Sequence, residues 1–533
     1  MIGADAMVKC LENEGVTTVY GYPGVAICPF YNSILDSDIQ SILVRTEQNA
    51  AHAASGEARV TGKVGVCAVT SGPGATNLIT GIATAFADSI PMVCITGQVK
   101  SELIGSDVFQ EADITGAVES FVKRVEDIPR VFKEAFYIAN SGRKGPVLID
   151  VPIDIQNATI SRFKYPEEIS LRTYKPTVKG HAVQIKKVIK ELEKAKRPII
   201  CAGGGVHLSD AVEELRDFAH KYKIPVVSTM MGLGVMKTQD TMYFGMVGNN
   251  GKAYANRAMN ESDLLIMVGA RVADRAISQP DLITENKILV HIDVDPAEIG
   301  KNVGPTIPLV GDVKHIFNDF AKQEFTCTHD EWINTLDQYR ETMGVKRNPN
   351  PAYVDPAAFI GILSEEMKDD AVYVADVGQN QIWSCAYHIV KDGRFLTSGG
   401  MGTMGYSIPA AMGAKRGNPD KQVVAVCGDG SFQMSMMELA TIMQHHIPVK
   451  IVVLKNNYLG MVRESQHYSY KDHYSVVDIK DGSPDLEKLS AAYNIPFIRV
   501  ENMSNAREKI QAFLKEDSTM LMECLVDPMD LVK

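Results

Sequence analysis

Short apolar runs rich in β-branched residues alternate with longer segments of helical period along almost the whole chain. Each run is about one strand long, as in VGVCAVT (64–70), PVLIDVP (146–152), PIICAGGG (198–205), DLLIMVGAR (263–271), KILVHIDVD (287–295), VVAVCGDG (423–430) and VKIVVLKNN (449–457). Strands buried on both faces require such unbroken apolar runs, and the helical segments between them supply the cover. The pattern predicts an α/β protein of mainly parallel sheets flanked by helices. Two stretches break the alternation. KYPEEISLRTYKPTVKG (164–180) is rich in charge and proline, and residues 326–355 include most of KRNPNPAYVDP. Both read as interdomain linkers, which predicts three domains at 1–165, 180–330 and 350–533.

The outer two blocks share a unit. In the first, VGVCAVT leads through the turn SGPG and the helical NLITGIATAFAD to Ile90-Pro91 and the strand MVCITGQ. In the third, VVAVC leads through GDGS and the helical MSMMELATIMQHH to Ile447-Pro448 and the strand VKIVVLKNN. The repeat predicts two related sheets facing each other, against the alternative that any two βαβ units share this much pattern.

Composition narrows the function classes. A chain of 533 residues with 45% hydrophobic and 22% charged residues is too large for a small binding module and too apolar for a disordered one. A net charge of −11 disfavours general affinity for nucleic acid or anionic membrane, so any phosphate binding must be local. The nine cysteines form no CxxC pair and several interrupt apolar runs, which reads as reduced core thiols. Asp5, Lys9, Glu12 and Glu14 interrupt the opening segment where a secretory signal would be apolar, and no later run reaches the ~18 apolar residues of a membrane span. The expected location is the cytoplasm.

Candidate chemistry lies at strand ends. Asp429, in Gly428-Asp429-Gly430-Ser431, follows one predicted strand and opens a helix, while Asn456 and Asn457 close the next strand. A right-handed βαβ crossover brings these ends together at the carboxyl edge of the sheet, where α/β ligand sites gather. The pair then offers hard oxygen ligands beside a helix start and glycine amides, a cradle for Mg²⁺ and a diphosphate. Taken singly, GDGS also reads as a capped helix start and Asn-Asn as a turn. Glu47 follows SILVR and opens a helix, where the macrodipole alone would favour a carboxylate.

Longer motifs surround these residues: GYPGVAICPFYNSI (21–34), TEQNAAHAASGEARVTGKVGV (46–66), TSGPGATNLITGIATAFADSIPM (70–92), FQEADITG (109–116), GARVADR (269–275), HIDVDPAEIGKN (291–302), FLTSGGMGTMGYSIPAAMGAK (395–415) and GDGSFQMSMMELATI (428–442). With them the chain resembles, almost end to end, the thiamine diphosphate (ThDP) enzymes of the acetohydroxyacid synthase, or acetolactate synthase, group. The resemblance implies the three-domain ThDP-binding fold. It implies Mg²⁺ held by Asp429, Asn456 and the carbonyl of Tyr458, with Lys455 replacing a residue that is not a ligand. Glu47 would activate ThDP through the aminopyrimidine ring, Met404 would impose the bent cofactor conformation, and the carbonyl of Gly402 would accept from its amino group. Gln110 and Phe109 would line the reaction centre; Gly378 and Gln379 would contact the diphosphate side, with Asn380 in place of the family's usual histidine. Tyr22, Pro23, Thr70 and Asn77 in the first block, and Gly430, Ser431 and Met461 in the third, complete the implied ThDP set. Because Glu47 and Asp429 lie in different blocks, the resemblance also implies a homodimer with each cofactor shared between subunits, or a dimer of dimers, and leaves a regulatory small subunit open.

In the middle block the resemblance implies FAD without a redox part in the main reaction, on Arg143, Gly203, Gly204, Gly205, Thr229, Gly232, Gly269, Arg271, Asp274, Asp293 and Asp312; an empty or nucleotide-filled cleft is the alternative. Arg275 would orient the carboxylate of a 2-oxo acid acceptor, its alternatives being an ion pair with Asp274 or contact with FAD. The sequence departs from the family where the second substrate should sit. Gly248-Asn249-Asn250-Gly251 replaces Gly-Met-His-Gly, Ser465 replaces a tryptophan, and Lys100 stands at the entrance. The sequence ends at VDPMDLVK without the proline-rich tail expected of many biosynthetic synthases. The expected reaction is decarboxylation of pyruvate and ligation of its hydroxyethyl unit to a second 2-oxo acid, giving 2-acetolactate. The rival is a ThDP-dependent 2-oxo acid decarboxylase or acyloin carboligase with a more polar acceptor, since the changes remove apolar wall worth ~1–3 kcal/mol per methylene.

Overall fold

A computed structural model describes residues 1–106, 108–112, 114, 124–277, 280–344 and 347–532. It contains three sheets, one per predicted block. The first comprises β1 (Thr18–Tyr22), β2 (Gln40–Leu43), β3 (Gly65–Val69), β4 (Met92–Gln98) and β5 (Pro146–Pro152), in the order β2-β1-β3-β4-β5. The second comprises β6 (Pro198–Ala202), β7 (Val226–Ser228), β8 (Tyr243–Met246), β9 (Leu264–Val268), β10 (Ile288–Asp293) and β11 (Ile307–Val310), in the order β11-β10-β9-β6-β7-β8. The third comprises β12 (Val372–Ala375), β13 (Arg394–Thr397), β14 (Val423–Gly428), β15 (Lys450–Lys455), β16 (Phe497–Val500) and β17 (Met520–Leu525), in the order β13-β12-β14-β15-β17-β16. Neighbouring strands within each sheet run parallel. The residues of β3, β4, β6 and β9 are buried throughout, which is why they read as unbroken apolar runs.

Strand order turns the internal repeat into a structural statement. β1 to β4 occupy the places of β12 to β15, and β5 that of β17, with β16 added at the far edge. In all three sheets the connections run outward in both directions from one adjacent pair: β1/β3, β6/β9 and β12/β14. The carboxyl end of such a pair is a crevice that no crossover helix covers.

The first and third domains pack through two helices, Glu47–Thr61 and Ser407–Gly417. Glycine sets their approach. A Cβ at Gly56 would stand 1.9 Å from the carbonyl oxygen of Ala410, and one at Gly413 would stand 1.8 Å from that of Ala53. The alanine-rich face TEQNAAHAASGEA therefore serves a helix crossing, and one apolar core runs from Ala50 and Ala54 into Ile408 and Met412.

Two local expectations are corrected. The stretch 326–355 carries the helix Asp330–Thr342, whose Trp332 and Leu336 are buried against the middle domain, with Trp332 Nε1 donating to the carbonyl of Pro198 at 3.1 Å. The segment after GDGS is two helices, Asp429–Ser435 and Glu438–Gln444, with Asp429 already in the first turn. Cys67 and Cys427 are buried free thiols, and no described helix is long and apolar enough to cross a membrane.

Candidate active site

The first half of the site forms at the β1/β3 switch point. Glu47 opens its helix directly after the β2 turn, and Asn77, one turn into the helix Pro73–Asp88, donates from Nδ2 to Glu47 Oε2 at 3.0 Å. The position of Gly74 brings the other carboxylate oxygen and Thr70 together: a Cβ there would lie 2.8 Å from Thr70 Cγ2 and 3.3 Å from Glu47 Oε1. Thr70 Oγ1 is buried with no hydrogen-bond partner. Gly24, after Tyr22 and Pro23, lies against the same threonine, and its absent Cβ would meet Thr70 Cβ at 2.6 Å. Gln110 has φ of 60° and packs its backbone on Gly72, itself at φ 59°, in the SGPG turn. Glu47, Thr70 and Asn77 thus converge, with Gln110 packed on the neighbouring SGPG turn. Phe109 projects beside them with 87% of its surface exposed. Asp113, Thr115 and Gly116 of the FQEADITG motif lie outside the described residues.

One residue that sequence reasoning missed fixes this half from the other domain. Glu438 is fully buried; its Oε1 accepts from the Arg45 backbone N–H and from Asn49 Nδ2, both at 2.9 Å, and its Oε2 accepts from Thr441 Oγ1 at 2.6 Å. Burial pushes its carboxyl above the ordinary range, opposed by these donors. Arg45 and Asn49 bracket Glu47, so Glu438 positions the helix start that carries it. The only sequence signal was an acid inside the apolar run MELATI.

The second half forms at the β12/β14 switch point. Asp429 is buried, and its Oδ2 accepts from the backbone N–H of Asn457 at 2.7 Å. Asn456, just past β15, accepts at Oδ1 from the Tyr458 N–H at 3.0 Å and donates from Nδ2 to Gln379 Oε1 at 3.0 Å. Asn457 takes a left-handed φ of 61°, turning the chain so that Asp429, Asn456 and Tyr458 lie within one hydrogen-bonded turn. Gln379 is buried and also donates to Glu464 Oε2 at 3.0 Å and to the Asp530 carbonyl at 3.2 Å, forming the floor beneath Asn456. Gly378 has φ of 144°, and its missing Cβ would collide with Asn380 Oδ1 at 2.7 Å. Gly430 borders Leu459 and the methyl of Met404, at 2.8 and 3.6 Å from its would-be Cβ, so Met404 reaches the turn that carries Asp429. Ser431 is buried and its Oγ accepts from the Gly428 N–H at 3.1 Å. Gly402 has φ of 68° with open space around it, and Met461 lies in the first turn of the helix Gly460–Tyr470.

Burial raises the Asp429 carboxyl to about 6, opposed chiefly by the Asn457 N–H. A second buried acid, Asp376, shapes the Met404 loop by accepting from the N–H groups of Gly405 at 2.9 Å and Ser407 at 2.8 Å. The donor set at Asp429 is all hard oxygen beside glycine backbone, which suits a magnesium-bound diphosphate. Among the described residues no hydrogen bond joins the Glu47 group to the Asp429 group.

In the middle domain the expected glycines gather at the β6/β9 switch point. A Cβ on Gly203 would lie 2.2 Å from the carbonyl of Gly269, and one on Gly205 would lie 2.7 Å from the Gly269 Cα, so these glycines let two strand-end turns close on each other. Gly232 meets the Ala202 carbonyl in the same way, and Thr229 donates its N–H to that carbonyl at 2.9 Å. Asp293 ends β10, and burial next to Asp295 and Glu298 raises its carboxyl to about 6. Asp312 caps the helix Val313–Ala321. Arg143 is engaged by protein: Nη1 lies 3.2 Å from Asp295 and 2.7 Å from Glu298, and Nε donates to Ser89. Arg271 donates to the Ala87 carbonyl at 2.8 Å, tying the middle domain to the first. Asp274 and Arg275 are exposed, and the expected alternative of an ion pair between them is not formed. The Arg275 carbonyl accepts from the Asn249 N–H at 3.0 Å, so the altered GNNG segment and the acceptor candidate are one surface.

Comparison with known proteins agrees with this layout. Three family models, for the N-terminal TPP binding, central and C-terminal TPP binding domains of thiamine pyrophosphate enzymes, match residues 1–117, 185–320 and 376–524. A probable acetolactate synthase large subunit of Methanocaldococcus jannaschii is 42% identical over 99% of this chain and 92% of its own length. The acetolactate synthase large subunits of Haemophilus influenzae and Lactococcus lactis are 41% and 39% identical, each over 98% of this chain and over 94% and 92% of their own lengths. The switch-point sites, the paired outer sheets and these matches coincide: the chain belongs to the acetolactate synthase large-subunit family of thiamine pyrophosphate enzymes.

Proposed function

We propose that the chain decarboxylates pyruvate and joins the two-carbon unit to a second 2-oxo acid, giving 2-acetolactate. The observation that carries this reading is the pair of half-sites at homologous switch points, a carboxylate pinned by an amide in one and an all-oxygen turn in the other. ThDP, when bound, supplies the electron sink that decarboxylation of a 2-oxo acid needs. Glu47 is pinned at Oε2 by Asn77, leaving Oε1 beside Thr70 to hold or release a proton. Asp429, Asn456 and the Tyr458 carbonyl would hold Mg²⁺ and through it a diphosphate, Met404 would set the shape of the cavity beside them, and Gln110 would meet the substrate. Arg275 would orient the acceptor carboxylate.

FAD is the proposed occupant of the middle domain. The acidic strand end at Asp293 suits ribose hydroxyls, and the bare turns of Gly203–Gly205 and Gly269 lie where dinucleotides sit in open α/β sheets. The domains of this reading are 1–165, 180–330 and 350–533, in a cytoplasmic homodimer or dimer of dimers that also accepts a regulatory small subunit, as the large-subunit names of the relatives suggest. A second reading, a carboligase with a more polar acceptor, is favoured by the Gly248–Gly251 turn, whose Asn249 N–H bonds the Arg275 carbonyl.

Product analysis of the purified protein with pyruvate, ThDP and Mg²⁺ tests the proposal. Acetolactate is expected; acetaldehyde alone, or no turnover of pyruvate, would overturn it. Glu47→Gln should lower turnover by about two to four orders of magnitude while ThDP still binds, as loss of a proton-transferring group does. Undiminished turnover in that variant would remove Glu47 from the chemistry.

A further inference from the structure

A cavity of about 430 Å³ lies where all three domains meet, away from both half-sites. The first domain contributes the end of the Glu47 helix and Lys144, the middle domain His207 and Met231, and the third domain Arg394 on the edge strand β13. Its charge is unbalanced. Arg59 is charge-paired, bonding Asp88 at 2.6 Å and the Thr397 carbonyl at 2.8 Å through its terminal nitrogens while its buried Nε has no acceptor, and Asp88 also accepts from the Gly400 N–H at 2.7 Å. Asp210 at the mouth is exposed and paired with Lys314 at 2.8 Å.

Arg394 and Lys144 have no such partners. No side-chain hydrogen bond or ion pair engages either among the described residues, and Arg394 Nε is sealed from solvent without an acceptor. His207 bonds the Leu233 carbonyl at 3.0 Å through Nε2, while its buried Nδ1 is unpaired. Burial, and then repulsion from Arg59, against attraction from Asp210, lowers the Arg394 guanidinium to about 10, which leaves it charged at neutral pH. Burial likewise lowers Lys144, against attraction from Asp312 and Asp210. A part-buried guanidinium that bonds no acid directly, and whose attracting carboxylate Asp210 is exposed and already paired with Lys314, is costly, and a bound anion offsets that cost.

We propose that this three-domain cavity binds a small organic phosphate, with Arg394 and Lys144 gripping the phosphoryl group. Arginine's planar fork and lysine's point charge are the side chains that recognise phosphate, and the volume suits one small metabolite. Occupancy would tie the domains together at their common corner, far from the reacting atoms. The same phosphoryl chemistry could also come from the diphosphate of a flavin dinucleotide reaching past Gly204, which lines both sites.

The test is calorimetric titration of the ThDP- and Mg²⁺-loaded protein with inorganic phosphate at constant ionic strength, with and without bound flavin, for the wild type, Arg394→Met and Lys144→Gln. Saturable binding is expected, weakened about tenfold or more in each variant, because each loses a charge-assisted hydrogen bond. Arg394→Met should keep or raise the melting temperature without phosphate and lose the rise that phosphate gives the wild type. Equal isotherms in wild type and variants, or no saturable binding in either flavin state, would overturn the proposal. Binding only in flavin-free protein would assign the phosphoryl group to the flavin and overturn the free metabolite.

Discussion

Asp429 carries the conflict on which the metal half of the site depends. Its carboxylate is needed charged, yet burial raises its pKa from an ordinary 3.8 to about 6. In metal-free protein the folded state therefore holds this proton more tightly than the unfolded chain. The sign follows: this group's contribution to stability is greatest below pH 3.8 and is lost as pH rises to about 6. The loss is on the order of 2–3 kcal/mol for a group this well buried. Mg²⁺ should reverse it, because a divalent ion replaces the proton. Thermal unfolding followed from pH 4 to 7 should show a fall in metal-free wild type that is absent in Asp429→Asn and cancelled by Mg²⁺ with ThDP; identical profiles in the three samples would remove Asp429 as the metal ligand. By the same competition, Mg²⁺ affinity should drop roughly tenfold for each pH unit below 6.

At the scale of elements, the crossing of Glu47–Thr61 with Ser407–Gly417 sets how the first and third domains meet. Gly413→Ala places a methyl 1.8 Å from the Ala53 carbonyl oxygen, a contact that only a backbone shift can relieve. It should destabilise the protein by about 1–3 kcal/mol or more. Gly361, inside the helix Pro356–Glu366, has nothing within 4 Å of its would-be Cβ, so Gly361→Ala should stabilise by about 0.5–1 kcal/mol. Denaturant unfolding of both variants checks the pair, and equal effects would show that helix propensity, not the close crossing, governs Gly413. The strands at these sites were legible because burial on both faces writes an apolar run into the sequence, and Asp429 was legible because it directly follows such a run, whereas Glu47 follows the partly exposed edge strand β2 and opens a helix. The helix Asp330–Thr342 was not, since Trp332 and Leu336 are its buried residues, Ile333 and Tyr339 pack only partly, and the rest of its surface is polar. Glu438 escaped for a different reason: besides Thr441, its partners are the backbone of Arg45 and the side chain of Asn49, 393 and 389 residues away, a contact that no local pattern encodes. The bonds of Gln379 to Asn456, Glu464 and Asp530 escaped on the same ground, each spanning 77 residues or more.

The whole molecule raises the question of how two half-sites on one chain come to serve one cofactor. The helix crossing fixes the first domain on the third, with further bonds from Asn49 to Glu438 at 2.9 Å and Thr84 to Thr403 at 2.7 Å. Within that rigid pairing Glu47 and Asp429 are not brought into contact, while Phe109 and Val25 beside the first half stand 87% and 75% exposed. A second copy would cover those surfaces and set its Asp429 turn against the first chain's Glu47, closing two equivalent sites by two-fold symmetry. This arrangement predicts complementation between inactive variants. Glu47→Gln and Asp429→Ala should each be nearly inactive alone, yet a mixture unfolded and reassembled together forms mixed dimers in which one site takes Glu47 and Asp429 from the two intact halves. With random pairing, half the dimers are mixed and each has one working site, so about a quarter of wild-type activity should return. If both halves of each site came from one chain, no pairing would rebuild a working site and the mixture would stay as inactive as its components.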